Sequence, residues 1–136
     1  MGVSFIPTGV RSGDDIVDAF DRVASAGANG LLNISDTLFY LKRKQMAELA
    51  MKHRLPWSTS VVEYADAGAL IAYGPDYPAI FRRAGALIDR ILKGTSSSPI
   101  PVAQTDVYQL VLNGETARAL HVEFPKALLL QATRVI

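Results

Sequence analysis

Short apolar runs alternate with helix-like segments along this chain, and this alternation constrains its fold more than any other feature. The apolar runs predict five strands, at Val3–Pro7, Gly30–Ile34, Pro56–Ser60, Ala69–Tyr73 and Tyr108–Leu112. Segments with helical spacing or capping residues separate these runs and follow the last one. Strands alternating with helices are typical of a doubly wound, mostly parallel sheet. We therefore predict an α/β fold.

The most regular predicted helix runs from Pro78 to Lys93 and ends before Gly94. Its apolar residues share one face, which contains Ile80, Phe81, Ala84, Leu87, Ile88 and Ile91. A second predicted helix spans Leu38–His53. Shorter helices are predicted between Ser12 and Gly27, over 61–68, from Asn113 to Leu120 and over Pro125–Thr133. The polar stretch Thr95–Pro101 predicts a surface loop.

Charge and composition exclude several classes of protein. The 136 residues include 14 basic and 13 acidic side chains, a balance that argues against a nucleic-acid partner. The absence of cysteine excludes disulfides and thiolate metal sites, and neither glycine-rich phosphate-binding motif occurs. No apolar run approaches the roughly 20 residues of a membrane-spanning helix. We predict a soluble protein without a metal or cofactor.

Polar side chains follow two of the predicted strands. Ser35, Asp36 and Thr37 come directly after the second strand, and Ser60 and Glu63 follow the third. In open α/β sheets, ligands bind beyond the carboxyl ends of the strands, where a carboxylate can hold an amine and hydroxyls can bind a polar group. The same residue types also cap helices and form turns, so both interpretations stay open.

Two further features carry a functional and a structural interpretation. Tyr73 and Tyr77 flank a Gly-Pro turn after the fourth strand, where they can line a pocket or lie on the surface of a rigid turn. The basic run Lys42–Lys44 indicates either a solvated helix face or a contact with an anion or a partner.

Several longer segments together resemble a known family. They are AELAMKHRLP (47–56), EYADAGALIAYGPD (63–76) and ILKG (91–94), followed by PIPV (99–102). The stretch IPVAQTDVYQLVLNGETARAL (100–120) continues the similarity. The chain resembles the carboxyl-terminal half of ABC-transporter substrate-binding proteins of the TrpX-like group, over nearly its whole length.

The resemblance implies a type 1 periplasmic-binding fold, in which two α/β lobes close on a small organic solute such as an amino acid. It implies docking of the loaded protein on an ABC permease, and a pocket containing Ser35, Asp36, Thr37, Ser60, Glu63 and Tyr73. It also implies a periplasmic location. The given chain shows no signal peptide, which predicts a cytoplasmic protein if this is the complete gene product.

The same resemblance implies that residues 1–72 form a portion of the second lobe and that residues 73–136 form the crossover and return segment. The first lobe and one strand of the second lobe would be missing, which leaves a gap in the sheet beside Val3–Pro7. Exposed strand edges and an exposed apolar helix rarely stay unpaired. We therefore predict a homo-oligomer, such as a dimer, that covers the apolar face of the helix at 78–93.

Three functions follow from these observations. The first is non-covalent capture of a solute for an ABC transporter, by this chain or by a truncated relative. The second is a stand-alone dimeric structural or interaction protein derived from a binding-protein fragment. The third is an enzyme that uses Asp36 and Glu63 as an acid/base pair; because no nucleophile or metal is indicated beside them, we predict no enzymatic activity.

Overall fold

Short strands and helices alternate along the chain, in a computed structural model that describes residues 2–96 and 106–136. The helices are α1 Asp15–Ser25, α2 Thr37–Leu41, α3 Arg43–Lys52, α4 Glu63–Ala67, α5 Tyr77–Leu92, α6 Gly114–Leu120 and α7 Lys126–Gln131. The strands are β1 Leu31–Leu32, β2 Trp57–Thr59, β3 Ile71–Pro75, β4 Tyr108–Leu112 and β5 Arg134–Val135.

The strands form one sheet in the order β1-β2-β3-β4-β5. β1, β2 and β3 are parallel, β4 pairs antiparallel with β3, and β5 is parallel to β4. The prediction of an α/β fold with a mostly parallel sheet is therefore confirmed. Because β1, β2 and β3 run in the same direction, their carboxyl ends meet at one edge, where the polar residues identified in the sequence follow them.

A hydrophobic core lies between the parallel strands and α1, α3 and α4. Trp57 and Tyr64 are its largest fully buried side chains, and Ile16, Phe20 and Met46 pack with them. Burying a large apolar side chain stabilises the folded state by about 1.5–3 kcal/mol. A second, smaller cluster joins Ala65, Ala72 and Val111 across β3 and β4.

The prediction of a strand at Val3–Pro7 is wrong. This segment has no strand pairing, and the side chains of Val3 and Phe5 are 69% and 79% exposed. A strand is stable only when a neighbour satisfies its backbone hydrogen bonds, and β1 pairs only with β2. Among the described residues no strand pairs with the other edge of β1, so the predicted absence of a neighbouring strand stays a prediction.

Other element boundaries differ from the prediction. The strand predicted at Gly30–Ile34 contracts to β1, and the helix predicted at Leu38–His53 divides at Lys42 into α2 and α3. β5 was not predicted, because two residues cannot show a strand periodicity. Residues 97–101 of the loop predicted at Thr95–Pro101 lie outside the described residues.

α5 is the longest helix of the described residues, and none of its residues is buried. It begins at the N-cap Asp76, whose carboxylate accepts a hydrogen bond from the Ala79 backbone N–H at 2.8 Å. The apolar face predicted from the sequence includes Phe81 and Ile88, which are 71% and 56% exposed. The helix is therefore as predicted, and its apolar face is exposed to solvent.

The predicted division at residues 72 and 73 falls inside β3. β3 pairs with β4 over five residues, so one sheet runs through both portions. The assignment of residues 1–72 and 73–136 to different parts of a two-lobed protein stays a prediction.

Candidate functional site

The segments that follow β1 and β2 meet through two serines. Ser35 Oγ lies 2.7 Å from Ser60 Oγ, although 25 residues separate them in the chain. Both side chains are exposed, and both follow the carboxyl end of a parallel strand. The structure therefore brings together two of the groups that the sequence indicated at this edge.

Asp36 is the N-cap of α2. Its Oδ1 atom accepts a hydrogen bond from the Leu38 backbone N–H at 2.7 Å, which fixes the carboxylate at the start of the helix. Thr37 is the first residue of α2. Asp36 thus acts as a cap, and its exposed carboxylate also faces a cleft.

The cleft is open to solvent and has a volume of about 400 Å³. It is lined by Ser35, Asp36, Thr37, Tyr40, Val61 and Tyr64. Small-molecule sites in proteins have volumes of about 300–1,000 Å³ and combine apolar walls with a few polar groups. The size and lining of the cleft are therefore suited to a small organic molecule.

Two aromatic residues of the cleft wall were missed by the sequence analysis. The Tyr64 ring is fully buried and packs edge-on against Trp57, with ring centroids 5.3 Å apart, and against Tyr40 at 5.9 Å. The Arg43 guanidinium lies 4.5 Å from the centre of the Tyr40 ring and donates a hydrogen bond to the Tyr40 carbonyl oxygen. Arg43 of the predicted basic run thus supports Tyr40. Helical spacing predicts that Tyr40 lies beside residue 43 or 44. No local sequence pattern indicates that Tyr64 contacts Tyr40.

Trp57 is held by a buried hydrogen bond at the base of the aromatic wall. Its Nε1 donates to Asn33 Oδ1 at 2.8 Å, and Asn33 and Trp57 are both buried. The Asn33 backbone N–H also donates to the Ser58 carbonyl oxygen of β2. Asn33 therefore fixes the indole ring and joins the end of β1 to β2.

Three buried polar atoms near the end of β2 have no hydrogen-bond partner. They are Thr59 Oγ1, Glu63 Oε2 and the Tyr64 hydroxyl. Burial raises the pKa of Tyr64 above its ordinary value, and the nearby Asp36 carboxylate raises it further. An unpartnered buried polar atom is costly, so such atoms often mark the place of a bound molecule.

Ser60, Glu63 and Tyr73, which were also predicted as pocket residues, are not among the residues that line the cleft. Glu63 is the first residue of α4 and is half-buried. Tyr73 lies on β3, is 58% exposed, and stacks on Tyr108 with ring centroids 5.7 Å apart. The next residue, Gly74, lies directly against the Ser60 carbonyl oxygen, so β3 supports the segment that bears Ser60.

Two negative findings concern the described residues alone. Within 2–96 and 106–136, acidic and histidine side chains form no group of three that could hold a metal ion. In the same residues, every helix is too short or too polar to cross a membrane.

Comparison with protein families gives one match over the whole chain. Residues 1–136 match the model of the family described as ABC transporter substrate binding protein. A curated relative, a tyrosine-binding protein from Clostridioides difficile (strain R20291), is 28% identical over 89 residues. These residues make up 65% of this chain and 26% of that protein.

Solved structures show the same fold. A conserved domain protein from Vibrio cholerae matches with a TM-score of 0.82 and 22% identity, covering 92% of this chain and 42% of its own. A Streptococcus ABC domain in complex with L-Trp also has a TM-score of 0.82, with 20% identity and coverages of 93% and 44%. A ligand-free, open substrate-binding protein from Clostridium difficile has a TM-score of 0.71 and 21% identity, covering 96% and 43%. The chain therefore spans less than half the length of each of these proteins.

Proposed function

Because the chain belongs to the ABC transporter substrate-binding protein family, we propose that its cleft binds a small organic solute without transforming it. Tyr64 lines the cleft and its hydroxyl is buried without a partner, and two further such atoms, Thr59 Oγ1 and Glu63 Oε2, lie within five residues of it in the chain. This observation carries the proposal, because a bound solute could satisfy polar groups that the folded chain leaves unpaired.

The proposed solute is an amino acid with an aromatic side chain. The Asp36 carboxylate would hold the ammonium group, and the hydroxyls of Ser35, Thr37 and Ser60 would bind the carboxylate. Tyr40 would contact the apolar body of the solute. The names of two similar proteins, a tyrosine-binding protein and a domain in complex with L-Trp, support this class of ligand.

Glu63 and Tyr73 complete the proposed set. Glu63 Oε2 is buried without a partner near the cleft, and it would receive a donor of the solute or of an ordered water. Tyr73 would contact the solute from β3 after a movement of its exposed ring.

The chain would supply one wall of a two-lobed binding site. The cleft is open, whereas a tight small-molecule site buries most of its ligand. We propose that residues 1–72 belong to one lobe and residues 73–136 to the crossover and return segment. The chain by itself would therefore bind amino acids weakly.

The family implies a role in transport. We propose that the loaded protein docks on an ABC permease and acts outside the cytoplasmic membrane, in the periplasm or on the cell exterior. The mechanism is non-covalent capture and release, with no catalytic step.

Self-association of the chain is a separate proposal. The exposed apolar side chains of α5 form a surface that a second copy would cover, as Phe81, Ile88 and Leu92 are 71%, 56% and 81% exposed. A stand-alone dimer without a transport role, the second function predicted from the sequence, would require this association but no ligand.

Titration of the isotope-labelled chain with L-tryptophan, followed by two-dimensional NMR, tests the proposed function. We expect shifts at Ser35, Asp36, Tyr40 and Tyr64, with a dissociation constant on the order of 1 mM or weaker, a free energy of about −4 kcal/mol. N-acetyl-L-tryptophan amide is the control ligand because it lacks both charged groups, and it should cause smaller shifts.

Two variants test, in the same titration, whether the Asp36 carboxylate contacts the ammonium group of the solute. Asp36→Asn removes the charge and keeps an oxygen that can cap α2, so it should weaken binding of L-tryptophan roughly tenfold. Asp14→Asn is the matched control, because Asp14 is exposed, makes no capping bond and does not line the cleft, so binding should be unchanged. The proposal of solute binding would be contradicted if residues of the cleft showed no shifts, or if both ligands caused equal shifts. Tight binding by the chain alone would contradict the proposal that the chain supplies only one wall of the site.

A further inference from the structure

α4 carries two of the three buried polar atoms without partners, on Glu63 and Tyr64, yet it has only five residues. Its N-cap residue, Val62, makes no side-chain capping bond. A helix this short is unstable by itself, so tertiary contacts must determine its position. The position of Tyr64 in the cleft wall therefore depends on whatever holds α4.

Asn113 holds the carboxyl end of α4. It is 5% exposed, and its Nδ2 donates a hydrogen bond of 2.8 Å to the Ala65 carbonyl oxygen, 48 residues away. Its Oδ1 accepts from the Thr116 backbone N–H at 2.8 Å and so caps α6. Its backbone N–H donates to the Leu70 carbonyl oxygen. One amide side chain thus joins α4 to the start of α6.

Two more contacts link the same parts of the chain. Thr116 Oγ1 donates to the Gly68 carbonyl oxygen at 3.0 Å, directly after α4. Arg134 Nη2 on β5 lies 2.9 Å from the Asp66 carboxylate on α4. The Asp66–Arg134 pair is exposed and the Asn113 contact is buried, so Asn113 contributes more to the position of α4.

We infer that Asn113 is a positioning residue for the cleft: through the Ala65 carbonyl oxygen it holds α4, and with it Tyr64, in the wall that faces the solute. The effect on solute binding rests on the proposed function, whereas the effect on α4 does not. Asn113 is not among the residues that line the cleft.

Asn113→Asp separates the two roles of this side chain. The variant keeps an oxygen that accepts from the Thr116 N–H, so α6 stays capped. It loses the N–H that donates to Ala65 and places a carboxylate oxygen against the carbonyl oxygen. α4 should loosen while α6 and the sheet stay formed.

Two measurements on the full chain need no ligand. Hydrogen exchange of the Gly68 and Ala69 amides, which donate to the Ala65 and Tyr64 carbonyl oxygens, should become roughly tenfold faster in Asn113→Asp, while amides of β2 and β3 keep their rates. Spectrophotometric titration, with Tyr64→Phe to assign the signal, should show a fall in the pKa of Tyr64 toward its ordinary value as water reaches the ring.

Asp76→Ala is the control for general destabilisation. It removes the capping bond of α5 and the contact with Gln109, both remote from α4 in the chain. It should leave the titration of Tyr64 and the relative exchange of Gly68 and Ala69 unchanged. Thr116→Ser keeps the hydroxyl donor to Gly68 and should also behave as the wild type.

L-tryptophan binding by NMR completes the experiment. One outcome supports both the inference and the proposed function. In that outcome the wild type binds, Asn113→Asp binds roughly tenfold more weakly, and the amide exchange and the Tyr64 titration change as expected. If the wild type does not bind but the exchange and the titration respond, the role of Asn113 in holding α4 is supported and the proposed function is contradicted. Unchanged exchange and titration in Asn113→Asp, or equal acceleration of all amides, would overturn the inference.

Discussion

The Ser35 and Ser60 hydroxyls lie 2.7 Å apart and join the segments that follow β1 and β2 at the rim of the cleft. Both residues are exposed, so water competes for their hydrogen bond. The pair contributes little to the free energy of unfolding, and its main effect is to hold two polar segments side by side.

A double-mutant cycle measures this contact. Ser35→Ala and Ser60→Ala should each lower the free energy of unfolding by less than about 1 kcal/mol, with a coupling of about 0.5 kcal/mol from urea unfolding. Additive effects of the two substitutions would show that the hydroxyls do not interact in solution.

Gly74 allows β3 to approach the Ser60 backbone. A Cβ atom at residue 74 would overlap the Ser60 carbonyl oxygen, so Gly74→Ala must displace Ser60 and β3. We expect a loss of stability of about 1–3 kcal/mol, measured by thermal unfolding, with altered NMR shifts at Ser35 and Ser60.

Gly85→Ala is the matched control for Gly74→Ala. A Cβ atom at Gly85, within α5, meets no atom within 4 Å. Alanine should stabilise the helix there by about 0.5–1 kcal/mol. A destabilising Gly85→Ala or a neutral Gly74→Ala would contradict the described packing.

Removing the acceptor for Trp57 should be costly. Asn33→Ala leaves the buried indole N–H without a partner, which should lower the free energy of unfolding by about 1–3 kcal/mol in urea, followed by Trp57 fluorescence. In a Trp57→Phe background, followed by circular dichroism, the same substitution should cost less. Equal costs in both backgrounds would mean that Asn33 acts through other contacts.

Two carboxylates that accept backbone hydrogen bonds, Asp15 and Asp76, should stabilise the fold above about pH 4 and lose this effect in acid. The backbone N–H groups of Arg11 and Ser12 lower the pKa of Asp15, and the Ala79 N–H, with Gln109, lowers the pKa of Asp76 below the ordinary value of 3.8. A depressed pKa gives stability that is present above pH 3.8 and is lost as the pH falls through the lower folded-state pKa. Stability should therefore decline with acid below about pH 4.

Asn variants test this pH dependence, because an asparagine oxygen can accept the same backbone hydrogen bonds without ionising. Asp15→Asn and Asp76→Asn should each reduce the slope of the free energy of unfolding against pH below 3.8. Asp14→Asn is the control, since the Asp14 side chain makes no capping bond. An identical slope in all three variants would rule out these two carboxylates as its source.

Charges on the exposed face of α5 should prevent self-association. Phe81→Asp with Ile88→Asp places two carboxylates on the apolar face, and light scattering after size exclusion should show a monomer where the wild type forms a dimer. Ala86→Asp places a carboxylate on the opposite, exposed face of α5 and should leave the dimer intact. A monodisperse wild-type monomer would contradict the proposed association.

The sequence by itself determined the class of fold and much of the element order. Apolar runs predicted most of the sheet, and helical spacing and Asn113 predicted α5 and the start of α6, because such signals depend on neighbours within one or two turns. Ser35, Asp36, Thr37 and Ser60 could be placed at one edge, because parallel strands share the direction in which they end. Binding of a solute by these four residues, or by Glu63 and Tyr73, stays a prediction.

Only the tertiary structure decided which residues meet at the cleft. Tyr64 and Tyr40 form a wall because α4 packs beside α2, and Asn113 reaches Ala65 across 48 residues. Val3–Pro7 has the apolar pattern of a strand but no neighbour to pair with, so it forms none. Local patterns determine which segments can form helices and strands, whereas hydrogen bonds and packing between distant segments determine which of them do and what surrounds the site.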